Sequence, residues 1–152
     1  MNPYLYVRNN PINAVDPLGL VTILVTTYNG GVETHSGLYV TRDGNRFLYD
    51  PEGSYRSATR GSGGYFEGAE ANIGDYINYH NNGGSDVDVT VLNTTPEQEQ
   101  RIMDTAMEQG DPRGLSCANA VSGALGGVCG ISASGFPGSL NDNAKNSSCV
   151  CR

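Results

Sequence analysis

Basic residues are scarce. The 152-residue chain carries 9 Lys and Arg against 16 Asp and Glu, a formal net charge of -7, and no segment gathers these cations into a stripe. A phosphate backbone is bound by several Lys or Arg that displace its counterions, so nucleic acid is disfavoured as substrate or partner. Long apolar runs are missing too. No stretch approaches the ~20 residues that a membrane-spanning helix needs, no signal-peptide pattern is legible, and no amphipathic basic helix offers itself to a membrane surface. A soluble protein with no membrane span is therefore expected. Histidine is nearly absent: His35 and His80 are the two in the chain, and any reaction that needs an imidazole base must use one of them. The length suits one domain with a modest core, while 21 glycines among many Asn, Ser and Asp imply long turns between short elements.

Of the four cysteines, Cys117 stands apart. Leu115-Ser116-Cys117-Ala118-Asn119-Ala120-Val121 reads as the start of a helix, with Ser116 as N-cap. A thiol in the first helical turn lies among unpaired backbone N–H groups at the positive end of the helix dipole, which favours thiolate, and the same groups can hold an oxyanion. Cys117 is the candidate nucleophile; the plainer reading is a small residue packed at a helix start. Cys129, Cys149 and Cys151 crowd the C-terminal end. One disulfide closing the Gly/Ser-rich tail and a set of free thiols both remain open. The final C-x-C has no partnering His or second close pair for zinc.

Along the chain, Val21–Tyr28 is a β-branched run, Asn29-Gly30-Gly31 a turn, and Val32–Val40 a second strand, which makes a hairpin. A turn at Arg42–Asn45 leads to a third strand, Arg46–Asp50. Alternation places His35, Gly37 and Tyr39 on one face of the middle strand and Ser36, Leu38 and Val40 on the other. Residues 51–86 are the least readable, with a short helix expected around Ala69–Tyr79 and His80 in the loop after it. Asp86–Leu92 alternates as a half-buried strand. Thr95-Pro96-Glu97-Gln98 is a capped helix start, and the helix should run to about Gln109 and bury Ile102, Met103, Ala106 and Met107. The Cys117 helix should pack Ala120, Val121, Ala124 and Leu125 on the sheet. After Gly126-Gly127 the chain reads as loop, apart from Phe136-Pro137 and Leu140.

Residues 1–20 differ in character. Tyr4, Tyr6, Val7, Asn9, Asn10 and Pro11, followed by Asp16, Pro17, Gly19 and Leu20, match the Y-x-Y-V-x-N-N-P and D-P-x-G-L motifs that close the core domain of Rhs proteins, the repeat-built shells of polymorphic toxins. The resemblance implies that 1–20 is the end of such a shell and 21–152 a toxin domain. It also implies autoproteolysis between Leu20 and Val21, with Asp16 a member of the autoprotease. Delivery into a target cell, encapsulation by the shell before release, and a cognate immunity protein are implied in the same way. Whether the target compartment is cytoplasm or periplasm is left open.

The order of a histidine strand, a further strand, a capped helix and a cysteine at a helix start resembles the circularly permuted branch of the papain-like thiol hydrolases, relatives of NlpC-type peptidases and lecithin retinol acyltransferase. His35-Ser36-Gly37-Leu38-Tyr39-Val40 resembles the histidine-strand motif, and Cys117-Ala118-Asn119-Ala120-Val121 the cysteine motif. The fold class expected is α+β, an antiparallel sheet packed against helices in that permuted order. The resemblance implies His35 as base, the alternative being a strand histidine on a solvated face. It also implies a polar third group on the next strand, where Asp50 lies, although Asp50-Pro51 is equally an ordinary strand end. Such a site would attack an amide, ester or thioester carbonyl of a protein, peptidoglycan or lipid acyl substrate, with no cofactor and no metal. Water as acceptor gives a peptidase, amidase or deamidase, and another acceptor an acyltransferase or transglutaminase. Two rival readings are an ADP-ribosyltransferase, with Glu97-Gln98-Glu99 as its Glu-x-Glu and Arg42 upstream, and a toxin that acts by binding alone. Acidic residues are expected in a first helical turn on dipole grounds in any case.

Overall fold

The structure is a computed structural model that describes residues 21–56, 64–112 and 116–150. The shell-like residues 1–20, with Asp16 and Leu20, and Cys151 lie outside the described residues. Five antiparallel strands are present among those described: β1 (Val21–Asn29), β2 (Val32–Arg42), β3 (Asn45–Tyr49), β4 (Tyr65–Glu67) and β5 (Asp86–Leu92), in the order β4-β3-β2-β1-β5. Four α-helices accompany them: α1 (Ile73–Asn82), α2 (Pro96–Gln109), α3 (Cys117–Leu125) and α4 (Pro137–Lys145). The class is α+β, as expected.

Both hairpins of β1–β3 turn in two residues. Gly30 and Gly31, at φ 61° and 84°, and Asp43 and Gly44, at φ 52° and 78°, hold positive φ at both central positions, the turn whose twist matches that of paired strands. The sheet buries both faces. Leu24, Leu38, Val40, Phe47, Tyr49 and Leu92 pack with residues of α2, α3 and α4, while Ile23, Val25, Tyr39, Leu48 and Val89 pack with Tyr55, Phe66 and the Ile73, Tyr76 and Ile77 side of α1. Alternation along β2 places Tyr39 and Leu38 in these two separate cores, as the sequence pattern requires.

The start of α2 carries both halves of the expected capping box, Gln98 N–H donating to Thr95 Oγ1 at 3.2 Å and Thr95 N–H to Gln98 Oε1 at 2.8 Å. Its buried stripe is narrower than expected: Ile102 and Ala106 are fully buried, whereas Met103 and Met107 pack at the margin.

Three elements depart from the sequence expectations. The short β4 extends the sheet within the region least readable in sequence. Helix α1 begins at Ile73 because Asn72 caps it, its side chain accepting from Asp75 N–H at 3.0 Å, and it runs to Asn82; His80 is therefore a helical residue and not a loop residue. Helix α4 occupies a segment that reads as loop. Pro137 opens it, but only Leu140, Asn141 and Ala144 face inward, too few apolar positions for a periodic signal. The tail is tied down by a Cys129–Cys149 disulfide with a Cα–Cα distance of 5.6 Å. Asn93 N–H, which donates to Cys149 carbonyl O at 2.8 Å, joins it to the end of β5.

Candidate active site

Cys117 is the first residue of α3. Ser116 caps the helix, its Oγ accepting from Asn119 N–H at 3.1 Å and donating to Gly135 O at 3.1 Å, so the thiol is fixed at the N-terminal turn. Cys117 is a free cysteine and partly exposed. Burial pushes its pKa up, but the hydrogen bond and charge of His35, with backbone N–H groups of Ser36 and Ala118, more than offset this, and the thiol lies below its ordinary value. The shift is toward the thiolate.

His35 reaches this position from β2, where alternation with Gly37 and Tyr39 puts it on the α1 face of the sheet, and a β-bulge follows immediately on its N-terminal side. The register of β1 and β2 pairs Thr27 with His35 but Tyr28 with Glu33, which leaves Thr34 as the extra residue. The imidazole Nε2 lies 2.5 Å from Asp50 Oδ1. With Nε2 committed to Asp50, Nδ1 is the ring nitrogen left for the thiol. Burial lowers the His35 pKa, yet hydrogen bonds to Asp50 and Cys117 and the charges of both raise it to about 9. The thiol shift down and the imidazole shift up describe one interaction, a thiolate–imidazolium pair.

Asp50 follows β3 directly and is fully buried. An isolated buried carboxylate is costly; this one is surrounded by partners. Tyr76 OH donates to Oδ1 at 2.7 Å, and Tyr55 N–H donates to Oδ2 at 3.4 Å. Burial raises the Asp50 pKa, and His35, then Tyr76, outweigh it, so the group stays ionised below the usual carboxylate range. Two glycines make room. A Cβ at Gly37 would run into the Tyr76 hydroxyl, and one at Gly53 into the Asp50 carboxylate. Gly37 is thus explained by contact across the sheet face, not by a turn.

The structure brings Cys117, His35 and Asp50 into one hydrogen-bonded line. Of two further neighbours, Tyr76 is not legible in the sequence as a site residue, and His80, the other candidate imidazole, reads there as a loop histidine. Tyr76 is fully buried and its pKa is raised well above the ordinary value, first by burial and then by the Asp50 charge; it is a hydroxyl that donates and stays protonated. His80 lies one helical turn further along α1, its ring 4.7 Å from that of Tyr76 and 5.8 Å from that of His35. The i, i+4 spacing of Tyr76 and His80 is the available signal, and it is hidden in the sequence because the apolar pattern ends the helix at Tyr79 while the structure carries it to Asn82. Glu97 and Glu99 occupy the first turn of α2, and Glu99 is buried with Oε1 accepting from Thr94 Oγ1 at 2.8 Å. Arg42 donates to Gln100. This Glu-x-Glu has the setting of a helix start that anchors the fold.

Among the described residues no group of three or more His, Cys, Asp or Glu is arranged to hold a metal ion, and no helix is long and apolar enough to cross a membrane. Comparison with protein-family models, with curated proteins and with solved structures gives no match for this chain. The chemistry of the site must be argued from its geometry.

Proposed function

We propose that this protein is a cysteine-dependent acyl-transfer enzyme, a hydrolase or transferase in which Cys117 is the nucleophile, His35 the general base and acid, and Asp50 the group that orients and charges His35. The observation that carries the reading is the imidazole of His35 held between a buried carboxylate and a thiol at a helix N-terminus. A thiolate is competent without further proton transfer. It adds to an amide, ester or thioester carbonyl carbon, and the developing oxyanion is met by the Cys117 backbone N–H at the start of α3. His35 then gives its proton to the departing group as the C–X bond breaks. Water or another acceptor, deprotonated by His35, releases the acyl group and regenerates the pair.

A histidine strand that precedes the cysteine helix is the order of the circularly permuted papain-like hydrolases, and the proposal includes that this α+β fold is of their kind. Residues 1–20 resemble the end of an Rhs core, so the reading extends to a toxin released from a shell by cleavage between Leu20 and Val21 and neutralised by an immunity protein in the producing cell. The test is growth of bacteria that express the chain in the cytoplasm or export it to the periplasm, wild type against Cys117→Ser. Killing in one compartment by wild type alone supports the reading and narrows the substrate. Equal killing by a folded Cys117→Ser protein rejects the thiol mechanism.

A further inference from the structure

The candidate site is assembled from separate elements: Cys117 rides on α3, whereas Asp50, which holds His35, directly follows β3. Helix α3 packs on the sheet through Ala120, Val121, Ala124 and Leu125. Apolar contact of this kind is non-directional, so it sets the spacing of the layers better than the position of one along the other. Yet the thiol must meet one nitrogen of His35 while Asp50 holds the other, and a misplacement of about 1 Å can cost a catalytic arrangement about a hundredfold. Directional bonds between α3 and the end of β3 would fix that offset.

Gln109, the last residue of α2, makes them. Its Nε2 donates to Ala120 O of α3 at 2.9 Å and to Tyr49 OH at 3.2 Å. Ala120 lies one helical turn beyond Cys117, and Tyr49 is the residue before Asp50. The Tyr49 hydroxyl, whose pKa burial raises above the ordinary value, stays protonated and donates to Gly110 O at 2.6 Å. On the far side of Asp50, Glu52 N–H donates to Asp111 Oδ1 at 2.7 Å. Residues 109–111 thus clasp the chain on both sides of Asp50, and Gln109 joins the clasp to the cysteine helix. Gly123 fits the same contact. Glycine is a poor residue for the middle of a helix, but a Cβ at this position would run into Gln109 Oε1.

We propose that Gln109 is a positioning residue of the thiol site, which ties the cysteine helix to the strand end that carries Asp50 and so fixes the approach of Cys117 to His35. The proposal rests on the thiol reading above, and no proton or bond of the reaction passes through Gln109. Without its two donated bonds α3 shifts against β3, the contact of thiol and imidazole loosens, and the thiolate loses the partner that favours it.

The test uses the full chain and follows alkylation of Cys117 by iodoacetamide against pH, with the labelled residue located by mass. Wild type should react with a midpoint below that of the same cysteine in the urea-unfolded chain. Gln109→Met keeps the reach of the side chain and removes both donors; its midpoint should rise by about one pH unit, a tenfold fall in rate on the acid side. Tyr49→Phe should move the midpoint in the same direction, and the double variant by no more than the larger single shift, because both substitutions break one link. Ile102→Ala, a core lesion in the same helix, should leave the midpoint in place, which separates positioning from loss of stability. An unmoved midpoint in folded Gln109→Met overturns the positioning role and leaves the thiol reading standing, as does an equal shift in Ile102→Ala. Where Gln109→Met does not fold, Tyr49→Phe is read against the same outcomes. A wild-type midpoint no lower than that of the unfolded chain overturns both readings.

Discussion

On one face of the sheet, Leu24, Leu38, Val40 and Leu92 meet the alanine-rich α3 and the Ile102–Ala106 stripe of α2; on the other, Tyr39 and Leu48 meet Tyr55, Tyr76 and α1, with a buried carboxylate and a histidine at its end. The first face is held mostly by apolar area and close packing, with the buried Thr22–Thr94–Glu99 and Thr90–Asn141 hydrogen bonds within it. The second carries the network of Asp50, His35 and Tyr76, which is stabilising only while every member has its partner. Cys117 rides on the helix of the first face, and His35 and Asp50 belong to the second. The candidate site forms where the two meet at the end of β2. Stability and reactivity should therefore be separable by face.

The largest expected effect on stability comes from the apolar face. Ile102→Ala should cost about 2–5 kcal/mol in urea unfolding, while the pH profile of Cys117 alkylation by iodoacetamide in the folded protein stays in place. Tyr76→Phe is the counterpart on the polar face. It should cost about 1–3 kcal/mol, because a buried charged acceptor loses a donor. It should also move thiol reactivity to higher pH, since Tyr76 helps to keep Asp50 ionised and Asp50 raises the His35 pKa. The distinction between the faces fails if Ile102→Ala moves the profile or Tyr76→Phe does not.

A smaller and more graded effect is the dependence of stability on pH. His35 has a folded pKa raised to about 9 from 6.5. Its contribution is therefore fully present below about pH 6.5 and is lost as pH rises through about 9. Cys117, whose pKa is lowered, contributes with the opposite sign over the same range, so the decline should be read in thermal melts of Cys117→Ser, where that opposing thiol is absent, and adding His35→Gln should flatten it. Asp50 has the opposite sign: its pKa is depressed, so its contribution is present above the ordinary carboxylate range and lost as pH falls through the lowered value. A Cys117→Ser melting temperature that does not fall as pH rises above about 6.5 would remove the charged His35 from the account.

The hairpins, β5, α2 and α3 were legible because each rests on local chemistry. Two-residue turns at Gly30-Gly31 and Asp43-Gly44, a capping box at Thr95, and Ser116 before an apolar helix need only near neighbours in sequence. Helix α4, the start of α1 and strand β4 were not legible. Leu140 and Ala144 are too sparse to show a period, and Tyr65–Glu67 is too short to alternate. The singular thiol, its cap and the histidine strand could be read as candidate chemistry from residue type. The parts of the site that depend on contact across the sheet, Tyr76 beneath Gly37 and His80 beside His35, could not.

By itself the sequence determined the α+β class, the strand and helix starts that frame His35 and Cys117, and an acidic chain poor in cations. These follow from turn geometry, capping and charge, which act over a few residues. Only the tertiary structure decided which carboxylate meets the imidazole, that a bulge at Thr34 interrupts the pairing next to His35, and that Cys129 pairs with Cys149. Those pairings join residues far apart in the chain. Their geometry is set by how two packed faces close on one sheet, which no local propensity encodes.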